Sequence, residues 1–377
     1  MRVAIVRQRY NPYGGAERFI ERTLPALERA GADVTLMARN WDGWGARKVL
    51  KVDPFYIGNA WRDHSFANAA RKAWRGKFDL VQSHERIAGC DVYRAGDGVH
   101  RRWLEIRKAS ADAAERLGIA LNPYHGYVLG EERRMFEDAR LRSVICNSAM
   151  VRDEIAGGFR IAPEKLHVIH NGVDLEHFHP RHGAALRASA RSGLDLADGE
   201  FAFLFVGSGF ARKGLDLAIA ALAHTTGAAE PSFKLLVAGR DRDAERFAAL
   251  AARAGVAERV RLLGGRDDVR PLYAAADCFI LPTRYDPFPG AVLEALAMGL
   301  PAIVGRGCGA AEVMRPGSSG WICEPDDVAH LADLMRAAAG APESGKQAQR
   351  AAARDTAEGY AIDAMARKLT DLYARLT

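Results

Sequence analysis

The chain has 377 residues, of which 49% are hydrophobic and 27% are charged, and this length suffices for two domains of roughly 150–200 residues each. No apolar run approaches the ~20 residues that a membrane-spanning helix needs, and the short apolar start Val3–Val6 is typical of a buried strand, not of a signal peptide. Residues 1–180 hold 29 Lys and Arg against 23 Asp and Glu, an excess of 6, whereas residues 181–377 hold 24 of each. The excess is explained by an anionic partner, such as a phosphorylated glycolipid or a bilayer surface, or equally by a surface that merely happens to be basic. No motif or Lys-rich tail indicates nucleic acid.

Short β-rich runs alternate with helical patterns, which is typical of βαβ units and parallel sheets. In the first half, we expect strands at Val3–Val6, Val34–Ala38, Leu80–Ser83, Val144–Asn147 and Leu166–Ile169. The helices expected there are Ala16–Ala30, Trp61–Arg75 and Tyr127–Ala139. The turn-rich stretch from Asn171 to Pro180 is the expected linker.

The second half repeats the alternation. We expect strands at Phe201–Val206, Lys234–Ala238, Val260–Leu263, Cys278–Leu281 and Ala302–Val304. The helices expected between them are Leu215–Ala223, Asp243–Ala254, Val269–Ala275 and Ala291–Met298, and residues 347–376 are expected to be helical. The five cysteines lack CxxC spacing, which favours reduced thiols in a cytoplasm and indicates neither disulfides nor zinc.

The strongest candidate site is the loop after the strand Cys278–Leu281, together with the start of the helix that follows it. Asp286 follows the strand, Pro289, Gly290 and Ala291 shape the loop, and Glu294 lies farther into the helix. Backbone N–H groups at such a helix start bind anions, and the two carboxylates can accept hydrogen bonds from hydroxyls. This pattern indicates a sugar-nucleotide site.

Each half also has a candidate binding loop after its first strand. Arg212 and Lys213 precede a helix, where cations oppose the helix dipole unless an anion is bound, so they are well placed for a diphosphate. Gly14 and Gly15 let the backbone approach a phosphate or sugar closely, although a tight turn explains such a pair more often. Their spacing is not that of a dinucleotide-binding loop.

These motifs together resemble the retaining glycosyltransferases of the GT-B fold, the family called glycosyl transferases group 1 or family 4. The resemblance is carried by Gly14-Gly15, residues 171–174, residues 209–214 and the pair Asp286 and Glu294. It implies two Rossmann-like doubly wound α/β domains facing a cleft. The expected domains are residues 1–175, which bind the acceptor, and residues 176–359, which hold the nucleotide-sugar donor. A C-terminal helix at about 360–377 is expected to pack back on the first domain.

Residue roles follow from the resemblance. Glu294 would hold the ribose hydroxyls, and Arg212 and Lys213 would neutralise the diphosphate as its negative charge grows. Asp286 would contact hydroxyls of the donor sugar, with backbone donors from Pro289, Gly290 and Ala291. The family usually has Glu at the position of Asp286, so the choice of donor sugar is the property that this change affects.

Two residues of the first half are further candidates for the reacting centre. Asp97 follows a strand-like run, and its counterpart in the family lies close to the reacting atoms; a turn or helix cap is the alternative. His84 follows the strand Leu80–Ser83 and is expected to face the crevice. The resemblance also implies that the donor phosphate itself helps to remove the acceptor proton. Asp241-Arg242-Asp243 imitates a metal-binding motif but enters a helix, where Asp suits the cap. We therefore expect neither a metal nor a cofactor.

The acceptor side combines cations with aromatic residues. Residues 100–108 hold five basic or potentially basic side chains with Trp, Leu and Ile, and Tyr124, Tyr127 and Arg133-Arg134 follow. This mixture suits a membrane interface, although an ordinary amphipathic helix explains it equally. Residues 10–18, 89–97 and 206–214 are similar to the lipopolysaccharide core glucosyltransferases that act on heptose.

We therefore expect a cytoplasmic, metal-independent enzyme on the inner face of the cytoplasmic membrane. It would transfer a hexose, glucose from UDP-glucose, with retention to a lipid-linked saccharide such as the lipopolysaccharide core. The alternatives are a mannosyl- or N-acetylglucosaminyl-transferase of the same fold and a non-catalytic module that binds a nucleotide or glycan. An epimerase with a similar fold is a further alternative, which turnover without any acceptor would reveal.

Overall fold

Two compact units make up the chain. The structure, a computed structural model, describes residues 1–9, 15–29, 31–41, 48–225 and 232–377. Unit 1 comprises residues 1–170 and 363–377, and unit 2 comprises residues 171–362.

Unit 1 contains a parallel sheet with helices in the connections. Its described strands are Arg2–Val6 (β1), Asp33–Ala38 (β2), Val49–Lys51 (β3), Leu80–Ser83 (β4), Val92–Arg94 (β5), Ser143–Cys146 (β6) and Leu166–Val168 (β7). Its helices are Gly15–Arg29 (α1), Gly58–Trp74 (α2), His100–Ser110 (α3), Ala113–Leu121 (α4), Pro123–Phe136 (α5) and Ala149–Gly158 (α6). The strand order is β3-β2-β1-β4-β5-β6-β7, and every pairing is parallel.

Unit 2 repeats this architecture. Its strands are Phe201–Val206 (β8), Phe233–Ala238 (β9), Val260–Gly264 (β10), Cys278–Leu281 (β11), Ala302–Gly305 (β12) and Gly320–Cys323 (β13). Its α-helices are Pro180–Gly193 (α7), Leu215–Ala223 (α8), Ala244–Arg253 (α9), Arg270–Ala275 (α10), Gly290–Ala297 (α11), Val328–Gly340 (α12) and Glu343–Glu358 (α13). The order β10-β9-β8-β11-β12-β13 is again wholly parallel. Strands β8 and β11 are buried along their whole length, which explains their uninterrupted apolar sequences.

The expectation of two doubly wound α/β units is confirmed, and the strands β4, β8 and β11 have the expected bounds. The expectation that residues 347–376 are helical is confirmed except for a break at residues 359–361: α13 ends at Glu358, and the last helix, Ile362–Leu376 (α14), follows. At this break, backbone groups of Tyr360 and Ile362 form hydrogen bonds with Val173 instead of within a helix. Val173 N–H donates to the Tyr360 carbonyl at 2.9 Å, and Ile362 N–H donates to the Val173 carbonyl at 3.0 Å.

Candidate active site

The loops that carry the candidate donor residues follow two neighbouring strands of unit 2. Strands β8 and β11 pair, and the order of the sheet reverses between them. In open α/β sheets, ligands bind beyond the carboxyl ends of the strands at such a reversal. Arg212 and Lys213 lie in the loop after β8, and Asp286 lies in the loop after β11. The fold therefore brings these three residues to one edge of one sheet.

The three side chains form one ion-paired cluster. The Lys213 ammonium donates to Asp286 Oδ2 at 2.5 Å, and Arg212 Nη1 donates to the same oxygen at 3.2 Å. Arg212 Nη1 also donates to the Tyr285 carbonyl at 2.6 Å. The side chains of Lys213 and Asp286 are each 9% exposed, whereas that of Arg212 is 32% exposed. Two cations with one carboxylate leave one net positive charge, and Arg212 presents it to solvent.

The protonation state of Asp286 follows from this environment. Burial alone would raise the pKa of its carboxyl group. The charges of Lys213 and Arg212, and the hydrogen bonds that they donate, outweigh burial and hold the pKa below its ordinary value of 3.8. Asp286 is therefore ionised at neutral pH and fixes the positions of both cations. The sequence pattern predicts contact with sugar hydroxyls for this carboxylate and does not predict these ion pairs.

The backbone determines where the cations stand. Gly207 has φ +150°, and a Cβ atom there would lie 2.7 Å from Cδ of Lys213, so glycine leaves room for the lysine side chain. The Arg212 carbonyl accepts hydrogen bonds from Thr283 Oγ1 and from Arg284 N–H, each at 3.0 Å. The loop after β8 is thus tied to the loop after β11 by main-chain contacts as well as by ion pairs.

Helix α11 begins directly beyond this cluster. Its N-cap is Pro289, which makes no side-chain capping hydrogen bond. The first N–H groups of an α-helix, here those of Gly290 and Ala291, have no acceptor within the helix, and they carry the positive end of its dipole. Pro289 has no N–H, so the expectation that it supplies a backbone donor is wrong. Gly290 and Ala291 remain suitable donors to an anion.

Glu294 lies one turn into α11 and is 3% exposed. The Tyr273 hydroxyl, on α10, lies 3.0 Å from Glu294 Oε2 and 3.2 Å from the Ala291 carbonyl oxygen. This contact orients the carboxylate. Asn171, from the motif at the start of unit 2, donates through Nδ2 to the Phe288 carbonyl at 2.8 Å and so supports the loop before α11.

The sequence Asp241-Arg242-Asp243, which resembles a metal-binding motif, has a structural role. Asp241 Oδ2 accepts from Phe210 N–H at 2.7 Å, and Asp241 Oδ1 accepts from Asp243 N–H at 2.9 Å. Asp243 stands at the N-cap of α9, as expected, but its side chain makes no capping hydrogen bond. Asp241 instead ties two loops together. Among the described residues, no three His, Cys, Asp or Glu side chains are grouped to hold a metal ion.

In unit 1, His84 follows β4 but is buried, with 3% exposure. Its Nε2 accepts from Gln82 Nε2 at 3.0 Å, and Gln82 Oε1 accepts from the Tyr373 hydroxyl at 2.5 Å. Burial, together with the charges of Arg94 and Arg7, lowers the pKa of His84 well below 6.5. The imidazole is therefore neutral at physiological pH, and its ring proton is assigned to Nδ1 because Nε2 accepts.

Asp97 lies in the loop after β5, and its side chain is 45% exposed. Arg7 Nη1 donates to Asp97 Oδ2 at 3.1 Å. Partial desolvation by the surrounding protein would raise the pKa of this half-exposed carboxyl, but the charges of Arg7 and Arg86 lower it to about 2. Asp97 therefore presents an ionised carboxylate at the carboxyl edge of the sheet.

The residues directly after β1 complete this polar edge, and the sequence analysis missed them. Gln8 N–H donates to Glu85 Oε1 at 2.8 Å, and Gln8 Nε2 donates to Asp63 Oδ1 at 3.2 Å. The Tyr124 hydroxyl donates to Asp63 Oδ2 at 3.0 Å, and Arg7 Nη1 lies 3.6 Å from Glu85 Oε1. Strands β1 and β4 flank the reversal of strand order in unit 1. Polar residues after the first strand of a doubly wound sheet were the signal that could have identified them.

Two other expectations concern the first half. Gly14 lies outside the described residues, and Gly15 is the first residue of α1. The basic segment 100–108 lies on α3, where Leu104 is buried and Trp103 and Ile106 are half-buried. Helix α3 is therefore amphipathic, with its cations toward solvent. Across the described ranges, no helix has both the length and the hydropathy to span a bilayer.

Each half of the chain matches a glycosyltransferase family model. The model of Glycosyltransferase Family 4 matches residues 13–177, and that of Glycosyl transferases group 1 matches residues 187–355. The lipopolysaccharide glucosyltransferase WaaG of Escherichia coli K12 is 26% identical over 345 residues, which cover 90% of this chain and 89% of that protein.

Solved structures share the fold. The crystal structure of WaaG, a glycosyltransferase involved in lipopolysaccharide biosynthesis, has a TM-score of 0.84 at 23% identity over 98% of this chain and 99% of that one. HepE of Anabaena, solved in complex with UDP-glucose, has a TM-score of 0.75 at 19% identity over the whole of both chains. Both family models fall on the units in the expected order, so the GT-B fold is confirmed and the chain belongs to the group 1, family 4 glycosyltransferases, as a nucleotide-sugar-dependent hexosyltransferase.

Proposed function

We propose that this enzyme transfers glucose from UDP-glucose, with retention of configuration, to a lipid-linked saccharide such as the lipopolysaccharide core. The observation that carries the proposal is the pairing of Arg212 and Lys213 with Asp286, in the loop that leads into α11, where Glu294 lies one turn into the helix. WaaG, whose name describes a lipopolysaccharide glucosyltransferase, matches nearly the whole chain. HepE, of the same fold, has been solved with UDP-glucose.

The donor diphosphate would bind at the cation cluster. Its oxygens compete with Asp286 for Lys213 and Arg212, and they accept from the N–H groups of Gly290 and Ala291 at the positive end of α11. Negative charge grows on the diphosphate as its bond to the anomeric carbon breaks. Cations already held in place stabilise that charge without reorganisation, which is the catalytic contribution that we assign to this cluster.

Glu294 would accept hydrogen bonds from the two ribose hydroxyls. Tyr273 holds the carboxylate at 3.0 Å, so the acceptor oxygens are oriented before the nucleotide arrives. Asp286 is one methylene shorter than the usual glutamate of the family and is engaged by both cations. We assign to it the positioning of the cations in addition to contact with the donor sugar.

The acceptor hydroxyl would attack from the face that the diphosphate leaves. The bond between the anomeric carbon and the phosphate oxygen breaks, the bond to the acceptor oxygen forms on the same face, and the hydroxyl proton passes to the departing phosphate oxygen. Asp97, ionised beside Arg7, would accept a hydrogen bond from the acceptor sugar. His84 is neutral and buried, so we assign it a positioning role at the end of β4.

We further propose that the enzyme works at the cytoplasmic face of the membrane. The acceptor is anchored in that membrane, and the excess positive charge of the chain lies in its first half. Anionic headgroups attract such a surface over about a Debye length.

Calorimetric titration tests the donor assignment. UDP, GDP and their glucose, mannose and N-acetylglucosamine conjugates are titrated into the wild type and into Glu294→Ala. We expect UDP-glucose to bind, and Glu294→Ala to weaken it about 10- to 100-fold, as expected for lost hydrogen bonds to a charged group. Glu324→Ala is the matched control, because Glu324 is an exposed carboxylate of the same unit paired with Arg306. Equal binding by wild type and Glu294→Ala, or preference for a GDP-sugar, would contradict the proposal.

A further inference from the structure

The large hydrophobic side chains that are exposed in the described chain all belong to unit 1. Phe55 is 73% exposed, Ile57 67% and Trp61 50%, and on α4 Leu117 is 59% and Leu121 72% exposed. Met1 and Val49 are the remaining two, at 38% and 39%. Among its described residues, unit 2 exposes no large hydrophobic side chain in this way. Single exposed hydrophobics are ordinary, but a cluster of them marks a contact surface.

Three of these side chains lie within seven positions of the chain, before α2 and on its first turn, and we call them the apolar loop: Phe55, Ile57 and Trp61. The rings of Phe55 and Trp61 meet edge to face with their centroids 6.0 Å apart. Tyr56, between Phe55 and Ile57, is only half-exposed, and the Arg39 guanidinium lies 4.7 Å from its ring centroid. The extended backbone before α2 therefore turns Tyr56 inward and its two neighbours outward.

The charges around the apolar loop favour an anionic partner. Arg9 is exposed, and its Nη2 donates to the hydroxyl of Tyr56 at 2.5 Å, so an exposed cation is held by the residue between Phe55 and Ile57. The carboxylates nearest in sequence are already paired. Asp53 accepts from Arg39 at 3.0 Å, and Asp63 accepts from an adjacent arginine side chain at 2.7 Å. The face therefore combines apolar tips with positive charge.

The position of the apolar loop relates it to the acceptor residues. It follows β3, an edge strand parallel to its neighbour, so it lies at the carboxyl edge of the sheet, where Asp97 also lies. Asp63, two residues after Trp61, accepts from Gln8 at 3.2 Å and from Tyr124 at 3.0 Å. Asp63, two positions beyond the apolar loop on α2, is thus hydrogen-bonded to residues of the polar edge of unit 1.

We propose that the apolar loop inserts into the headgroup and upper acyl region of an anionic bilayer and brings the polar edge of unit 1 to a lipid-anchored acceptor. This inference rests on the proposed function, which supplies the lipid-linked acceptor. Trp61 and Arg9 supply the aromatic and cationic groups that favour the interface, and Phe55 and Ile57 supply the apolar area. A saccharide would stack only on the rings of Phe55 and Trp61, whereas a bilayer also takes up the aliphatic side chain of Ile57.

Vesicle co-sedimentation tests the proposal with the full-length protein. The probes are vesicles of phosphatidylethanolamine with phosphatidylglycerol, and vesicles of phosphatidylcholine alone. We expect Phe55→Ser/Ile57→Ser to bind the anionic vesicles at least about tenfold more weakly than the wild type, because two apolar side chains lose their burial. Phe55→Leu/Ile57→Leu is the matched control and keeps wild-type binding. Both residues are exposed, so thermal unfolding of the two variants is expected to match that of the wild type.

Several outcomes would overturn the inference: the serine variant binding like the wild type, the leucine variant losing binding too, or no binding of the wild type to anionic vesicles. Hexose transfer to a delipidated, water-soluble acceptor separates this inference from the proposed function. Loss of that transfer in the serine variant, with vesicle binding unchanged, would identify the apolar loop as a sugar contact and overturn it. Vesicle binding that depends on Phe55 and Ile57, without transfer to any glycan, would support the inference while refuting the proposed function.

Discussion

Replacing Asp286 by Asn removes the carboxylate that two cations share, and the structure sets the size of the effect. At 2.5 Å, the Coulomb attraction between Lys213 and Asp286 is about 6–7 kcal/mol with an effective dielectric constant of about 20. The cost of desolvating both groups offsets part of this. Removing one partner of a buried pair typically lowers the free energy of unfolding by about 3–5 kcal/mol. Arg212 is partly exposed and adds less than about 1 kcal/mol. Unit 2 spans residues 171–362, so we expect the Tm of this unit to fall by roughly 6–20 °C.

Calorimetric unfolding of Asp286→Asn with and without UDP measures this effect. The diphosphate replaces the missing carboxylate, so saturating UDP should raise the Tm of the variant more than that of the wild type. Asp326→Asn is the control, because Asp326 is an exposed partner of Arg284 at 2.9 Å and its loss should cost less than about 1 kcal/mol. An Asp286→Asn protein that unfolds within about 1 °C of the wild type would show that Lys213 is not held as the structure indicates.

Two further predictions concern a titrating side chain and the glycine beside the cations. His84 is neutral in the fold because its pKa lies well below 6.5, so the unfolded chain binds a proton below about pH 6.5 that the folded chain does not, and stability falls on acidification. Urea unfolding of His84→Gln should therefore show a smaller loss of unfolding free energy between about pH 7.5 and pH 5.5 than that of the wild type. An equal loss in both proteins would show that another group causes the acid sensitivity. Gly207→Ala should weaken UDP binding about tenfold or more in calorimetric titration, because its Cβ would lie 2.7 Å from Lys213. Gly209→Ala is its control, with φ +78° but no atom nearer than 3.9 Å, and equal weakening by both would attribute the effect to backbone strain.

A strand could be predicted from the sequence where it consists of an uninterrupted run of apolar residues. Central strands such as β8 are buried on both faces and consist of uninterrupted apolar residues, so their bounds follow from the sequence. The edge strand β3 has three residues, none of them fully buried, and carries no such pattern. Strand β5 is also short and includes the buried Arg94, whose charge hides it from a hydrophobicity pattern.

In the candidate site, too, the sequence predicts the residues but not their contacts. The sequence singled out Lys213, Arg212 and Asp286, because each lies in a loop after a recognisable strand. Their pairing joins residues more than 70 positions apart and depends on the order of strands in the sheet, which no local pattern contains. The contact between Gln82 and Tyr373 spans 291 positions. For this reason, the burial and neutral state of His84 could not be foreseen.

The return of α14 to unit 1 has a consequence for synthesis on the ribosome. Tyr373 is fully buried in unit 1 and donates to Gln82 on its central strand β4, yet the whole of unit 2 is translated between them. A nascent chain that has emerged only as far as residue 170 lacks this helix and leaves the hydrogen bond of Gln82 unmade. Unit 2 has all of its residues synthesised first. Unit 1 gains its last buried contacts only at the end of translation, and a fragment of residues 1–170 is expected to unfold at a lower temperature than the same fragment supplied with a peptide of residues 363–377.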